Sequence, residues 1–395
     1  MGRVDHLHDV LAGHVERGEV PGVVTLVSRR GEVQVDAIGM KAVGGREPMR
    51  RDTIFRVASM TKPITAAATL ILMEEGKLRL DEPVDSLLPE LARRQVLKRI
   101  DGPLDDTGPA LRPITVRDLL TFRLGFGLIG GTRDAYPILK AADELQIMTA
   151  LPNPPTPHAP DEWMRRLGTL PLMHQPGERW MYHTGSDVLG VLIARASGQT
   201  LAAFFRERIF EPLGMKDTGF SVPAAERGRL APAYRWNPES KTLQLYDGVA
   251  DSAWSRPPAF ASGGGGLVST VDDYLAFGQM LLNGGRHGNR RVLSRPSVEA
   301  MTTDQLTSAQ KAVSELVPGF WKGRGWGFGV SLLPRRDDAA AVSARFGWDG
   351  GFGTSWCSDP EEGLVAVLMT QRLGFPLTSE IRRDFWDAVD QVDRF

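Results

Sequence analysis

Sulfur, long apolar runs and net charge are all scarce in this chain. A single cysteine, Cys357, stands among 395 residues. No intrachain disulfide can form, and such cysteine usage fits the cytoplasm. Cys357 is expected to pack in a strand. No run reaches the roughly eighteen apolar residues of a membrane-spanning helix. The net charge is −1, so composition offers no general affinity for nucleic acid or a membrane surface. The first twenty residues, MGRVDHLHDVLAGHVERGEV, carry charges throughout and lack the apolar stretch of a secretory signal. There is no GxSxG, which excludes the usual α/β-hydrolase nucleophile turn. There is no HExxH and no Cys/His cluster, and the seven histidines are scattered, so neither metal nor cofactor is expected.

What is present is ordinary globular material, 42% hydrophobic and 24% charged, enough for two or three structural units. His6 to Arg17 reads as an amphipathic helix, broken by Pro21-Gly22. "VVTLVSRRGEVQVDAIG" reads as a hairpin turning near Arg30-Gly31. Between about residues 80 and 260 the pattern is mainly helical, with "VRDLLTFRLG" and "SDVLGVLIARASGQTLAAFFRERIF" as helices. "LPNPPTPHAPDEW", with prolines from Pro152 to Pro160, reads as a surface loop. Strand patterning returns in "GWGFGVSLLP", "RFGWDGGFGTSWCSDP" and "GLVAVLMTQR", and a helix over roughly Ser379 to Val392 closes the chain. The expected fold is α/β in composition (α+β by segregation). An antiparallel sheet flanked by helices is built from both termini, residues 1–80 and 261–395, and a mostly helical unit, 81–260, is inserted between them. The cleft between the two units is the expected active site.

Two glycine motifs carry no ligand chemistry. "GFGLIG", Gly125 to Gly130, follows a helical pattern instead of a strand and reads as a loop. "SGGGG", Ser262 to Gly266, lacks the lysine of a phosphate loop. It reads as a close backbone approach before a helix N-capped near Ser269 or Thr270.

"FRVASMTKPITAAATLILMEEGKL", Phe55 to Leu78, poses the chemical question. The apolar run from Ile64 to Met73 suits a buried helix, and Pro63 forces its first turn to lie close by. Ser59 and Lys62, three apart, then share a face near the helix N-terminus, where partial positive charge favours an alkoxide and a deprotonated amine. The alternative is an N-cap serine beside a solvated lysine. A second Ser-x-x-Lys, Ser308 to Lys311, lies in a polar stretch, so one match is accidental. Tyr182 precedes a helix starting near Thr184 to Ser186. Its phenol can exchange a proton if nearby cations lower its pKa; the alternative, and the commoner case, is a tyrosine hydrogen-bonded at a helix start. Glycine-dense "GWDGGFGTSW" reads either as a strand start that brings a backbone N–H close to a substrate oxygen or as a plain glycine turn.

With these residues in place, the chain resembles the serine β-lactamase and penicillin-binding-protein superfamily over nearly its full length. Within it, the chain is similar to the family VIII carboxylesterases, which are themselves similar to class C β-lactamases. Ser59-Met60-Thr61-Lys62 matches S-x-x-K, Tyr182-His183-Thr184 stands at Y-x-N, and Trp348-Asp349-Gly350 stands where β-lactamases carry K-T-G and related esterases W-x-G. The resemblance implies a β-lactamase-like fold and an acyl-enzyme on Ser59, with Lys62 and Tyr182 sharing the proton work. It also implies an oxyanion hole from the N–H groups of Ser59 and Gly351, and substrate-binding positions at Trp348, Gly350 and Phe352. Two departures carry information. Thr184 replaces an amide side chain. Trp348 replaces a cation that would meet a substrate carboxylate, so neutral, short-chain esters are the expected small-molecule partners. A β-lactamase, a D-amino-acid peptidase or amidase, an acyltransferase and a non-catalytic binder on the same fold are the competing readings. The oligomeric state is not legible.

Overall fold

The computed structural model describes residues 3–129, 136–148, 156–334, 342–374 and 379–391. Its main sheet has seven strands, in the order Gly325–Trp326, Ser331–Pro334, Val342–Gly350, Thr354–Asp359, Leu364–Met369, Gly22–Arg29 and Glu32–Gly39. Every neighbouring pair is antiparallel. Strands from both ends of the chain meet where Leu26 pairs with Val367. The expected hairpin turns at Arg30 and Gly31, both with positive φ.

Alternation along the strands sorts side chains between two cores. Leu364, Ala366 and Leu368 face a core closed by the terminal helices, with Leu11 from Arg3–Glu16 and Phe385 and Val389 from Glu380–Gln391. Cys357 is buried there too, in the strand Thr354–Asp359. Val365, Val367 and Met369 face the larger core, shared with the helices Thr61–Glu74 and Val271–Leu282. Two-sided burial explains why Gly22–Arg29 and Leu364–Met369 read as continuous apolar runs.

The intervening stretch contains the helices Pro137–Glu144, Pro160–Thr169 and Thr184–Ser197. Three details differ from expectation. "VRDLLTFRLG" is helical only over Val116–Leu120, started by a Thr115/Asp118 capping box and followed by Phe122 at φ 59°. The proline-rich segment turns helical at Pro160, where a missing N–H costs nothing in a first turn; residues 151–155 and Gly130 lie outside the described residues. A hairpin, Ala233–Asn237 with Thr242–Asp247, takes Arg372–Leu373 as a parallel third strand. Among the described residues no single helix is long and apolar enough to cross a membrane.

Candidate active site

The strand Phe55–Arg56 pairs with Val268–Ser269 and runs into a 3₁₀ turn, Ala58–Met60, then the helix Thr61–Glu74. Ala58 adopts φ 43°. Arg56, buried, locks this entry by donating to the Ala231 carbonyl, Ser252 and Asp247. Pro63 falls in the helix's first turn, where backbone N–H groups have no intrahelical partner. Neither helix start is capped by a side chain. The Ser59 hydroxyl is left for another partner and remains partly exposed.

That partner is Lys62, whose Nζ lies 2.9 Å from Ser59 Oγ. Lys62 is only 1% exposed. Its amine also donates to the Gly264 carbonyl, lies 3.2 Å from His183 Nδ1, and sits 4.5 Å above the Tyr182 ring. Burial pulls its pKa down to about 7, against a partial upward pull from Asp187. At neutral pH an amine so placed is available as a base. The second Ser-x-x-Lys is structural. Ser308 is exposed in the five-residue helix Ser308–Ala312, and Lys311 is tied to Asp304 and the Arg324 carbonyl.

Tyr182 enters from the turn before the helix Thr184–Ser197. Its phenol oxygen accepts a hydrogen bond from the Trp348 indole N–H at 2.7 Å. Burial pushes the phenol above its ordinary range, although hydrogen bonds to Ser59 and Trp348 pull the other way and the Asp349 charge adds to the rise. The direction is opposite to that expected from neighbouring cations. Lys62, the cation over the ring, is itself pulled down to about 7 by burial. Tyr182 also joins an aromatic wall with Phe122, Trp180, Trp326 and Trp348.

Trp348, 5% exposed, is the part of that wall that hydrogen-bonds to Tyr182. Gly350 ends the strand Val342–Gly350 directly on the Val57 carbonyl, where a Cβ would collide with it. Gly351 therefore follows beside the Ser59 turn. Phe352 is not brought to the site. It is 1% exposed and packs on Trp254 and Tyr246 in a separate core.

Two residues that sequence reasoning did not place in the site complete it. His183 has φ 83° and ψ −65°, and the Thr184 N–H bonds to the Tyr182 carbonyl at 3.3 Å. This is a γ-turn of the rare, strained hand. It aims both Tyr182 and His183 at Lys62 and buries Thr184, whose hydroxyl has no hydrogen-bond partner among the described residues. His183 Nε2 lies 3.1 Å from Asp187 Oδ2. Asp187 also accepts from Ser262 Oγ at 2.6 Å and the Gly264 N–H at 2.9 Å. Burial raises the Asp187 carboxyl, but His183 and these donors outweigh it and hold the pKa below the usual range. The glycines of Ser262 to Gly266 supply the close backbone approach, and Thr270 caps the following helix. The available sequence signal was the His183/Asp187 spacing of four across a helix start.

A hydroxyl, an amine and a phenol converging at a helix N-terminus are the groups of a serine acyl-transfer site. The family model for beta-lactamase matches residues 7–390, and the chain belongs to that family. Protein Rv1367c of Mycobacterium tuberculosis is 41% identical over 365 residues, 90% of this chain and 87% of its own. Esterase EstB of Burkholderia gladioli is 33% identical over 393 residues, covering 93% and 90%. Among solved structures, EstCE1, described as a hydrolase with promiscuous acyltransferase activity, superposes with a TM-score of 0.79 at 25% identity, covering 98% of both chains.

Proposed function

We propose that the protein is a serine hydrolase that cleaves short, neutral carboxylic esters through an acyl-enzyme on Ser59. The observation that carries this reading is the 2.9 Å contact between the partly exposed Ser59 hydroxyl and a buried Lys62 whose pKa lies near 7. The relation to Esterase EstB supports it. Neutral Lys62 takes the Ser59 proton as Oγ bonds to the ester carbonyl carbon. The carbonyl oxygen becomes an oxyanion, met by the N–H groups of Ser59 and Gly351. The carbon–oxygen bond to the alcohol then breaks, and Tyr182 returns a proton to the leaving oxygen. With its pKa raised, the phenolate left behind is a strong base, and it takes back a proton from the Lys62 ammonium that holds the one from Ser59. Water, losing a proton to the same pair, attacks the acyl carbon; the bond from that carbon to Ser59 Oγ breaks, the pair returns the proton to Oγ, and the acid is released.

Substrate enters between the inserted segment, 81–260, and the sheet unit. Trp348 and Gly350 are its expected walls, and Trp348 brings no cation for a carboxylate, which disfavours β-lactams and D-amino-acid peptides. Burial of Phe352 argues for an indirect part, behind the Ala58 turn. The single cysteine supports a cytoplasmic setting. Acyl transfer to an alcohol in place of water is the second reading, favoured by the printed description of EstCE1. A fluorophosphonate probe tests the proposal. It should label wild type at Ser59, spare Ser59→Ala, and label Ser308→Ala normally. No label on wild type refutes it.

A further inference from the structure

We propose that His183, oriented by Asp187, is a positioning residue that aims the Lys62 lone pair at Ser59. The inference rests on the hydrolase reading above and assigns a role to two residues outside the Ser59, Lys62 and Tyr182 set.

Donor and acceptor counting carries the argument. An ionised Asp187 can only accept, so His183 must carry its proton on Nε2, which faces Asp187 Oδ2 at 3.1 Å. In the neutral imidazole Nδ1 is then a bare lone pair, able to accept from the Lys62 amine 3.2 Å away. The Gly264 carbonyl, the next partner of Lys62, is also an acceptor only. A protonated Lys62 gives its three hydrogens to His183, Gly264 and Ser59. A neutral Lys62 keeps two, and both go to the groups that can only accept. Its lone pair is left pointing at the Ser59 hydroxyl, the one neighbour able to turn from acceptor to donor. A carboxylate that fixes an imidazole tautomer works the same way in Ser-His-Asp sites. Here the imidazole serves a lysine, and its own proton never moves.

Two further features fit this role. His183 holds a strained γ-turn conformation with positive φ, an arrangement that persists where a side chain must be aimed. A Cβ at Gly264 would come within 3.0 Å of His183 Cε1 and 3.1 Å of Asp187 Oδ1, so a glycine there leaves the pair its room.

Asp187→Asn is the sharpest test. The Gly264 N–H can only donate, so it keeps the amide oxygen and turns the amide NH₂ toward His183 Nε2. The imidazole proton must move to Nδ1, where it occupies the Lys62 lone pair. His183→Leu removes the acceptor altogether. His183→Asn keeps an acceptor near the Nδ1 position and tolerates positive φ. Asp187→Asn and His183→Leu should each lower kcat about 10- to 100-fold, the range of one hydrogen bond to a charged group, with KM changed less. The double variant should be no worse than either single one, and His183→Asn should recover most of kcat. Fluorophosphonate labelling of Ser59 should slow in step with kcat. Wild-type kcat in folded Asp187→Asn or His183→Leu would overturn the proposal, as would equal losses in His183→Asn and His183→Leu. If wild type itself takes no label at Ser59, the hydrolase reading has failed and this proposal falls with it.

Discussion

The Trp348 indole N–H donates to the Tyr182 phenol oxygen at 2.7 Å. An indole N–H can only donate, so this contact occupies an acceptor site on the phenol and leaves the phenol's own hydrogen to point elsewhere. Trp348 thus acts on the proton carrier as well as on the shape of the pocket. Trp348→Phe keeps an aromatic ring and deletes the donor. Its kcat for a short ester should fall by roughly tenfold, the upper range for one neutral hydrogen bond, with KM changed less. Steady-state kinetics decide it. An unchanged kcat would mean that packing alone holds Tyr182.

Activity should depend on the protonation of Lys62. Burial lowers its pKa to about 7, and only the neutral amine can accept the Ser59 proton. The kcat/KM for a neutral ester should therefore rise with pH and level off about one unit above that value, with one proton lost from the free enzyme. A profile flat from about pH 5.5 to 8.5 would place the base elsewhere.

Gly350 joins the strand end to the Ser59 turn. An added Cβ there would collide with the Val57 carbonyl and the Thr354 hydroxyl. Neither can move freely, because Val57 is backbone and Thr354 is buried in the next strand. Gly350→Ala should cost about 1–3 kcal/mol, as overpacking does, and should lower kcat by shifting Gly351 away from Ser59. Thermal unfolding and ester turnover measure the two effects. Unchanged values for both would show that the strand end yields.

Parts of this arrangement were legible in the sequence for local reasons. The spacing of Ser59 and Lys62 on one helix face follows from helix geometry and the nearby Pro63, and the terminal hairpin follows from its turn at Arg30-Gly31. His183 was hidden because a γ-turn at a non-glycine residue has no composition signal. The turn also exchanged the roles of neighbours, burying Thr184 and presenting His183. The Tyr182 pKa direction depends on tertiary burial, which overrides the lowering expected from nearby cations. Phe352 stands two residues from a strand end, where a pocket and a core are equally near, and only packing on Trp254 decides between them.

Lys62 should also set a pH dependence of stability. Its folded pKa, about 7, lies below its ordinary value of 10.5 because burial disfavours the ammonium. Above about pH 10.5 the lysine is neutral in both states and contributes nothing. As pH falls from there toward 7 the unfolded chain binds a proton that the folded protein refuses, so unfolding becomes easier by about 1.4 kcal/mol per pH unit. Below pH 7 both states are charged and the cost is constant. Stability conferred by this site therefore rises with pH across the window from about 7 to 10.5. Lys62→Met keeps a long apolar chain and removes the buried charge, at the expense of an unpaired Gly264 carbonyl. The variant should be inactive yet more stable than wild type at pH 7, and its advantage should shrink as pH is raised toward 9.5. Denaturant unfolding of both proteins at pH 7, 8 and 9 measures the difference. An advantage for Lys62→Met that stays constant with pH would show that Lys62 is not titrating in this range. The same result would remove the basis for a neutral lysine beside Ser59.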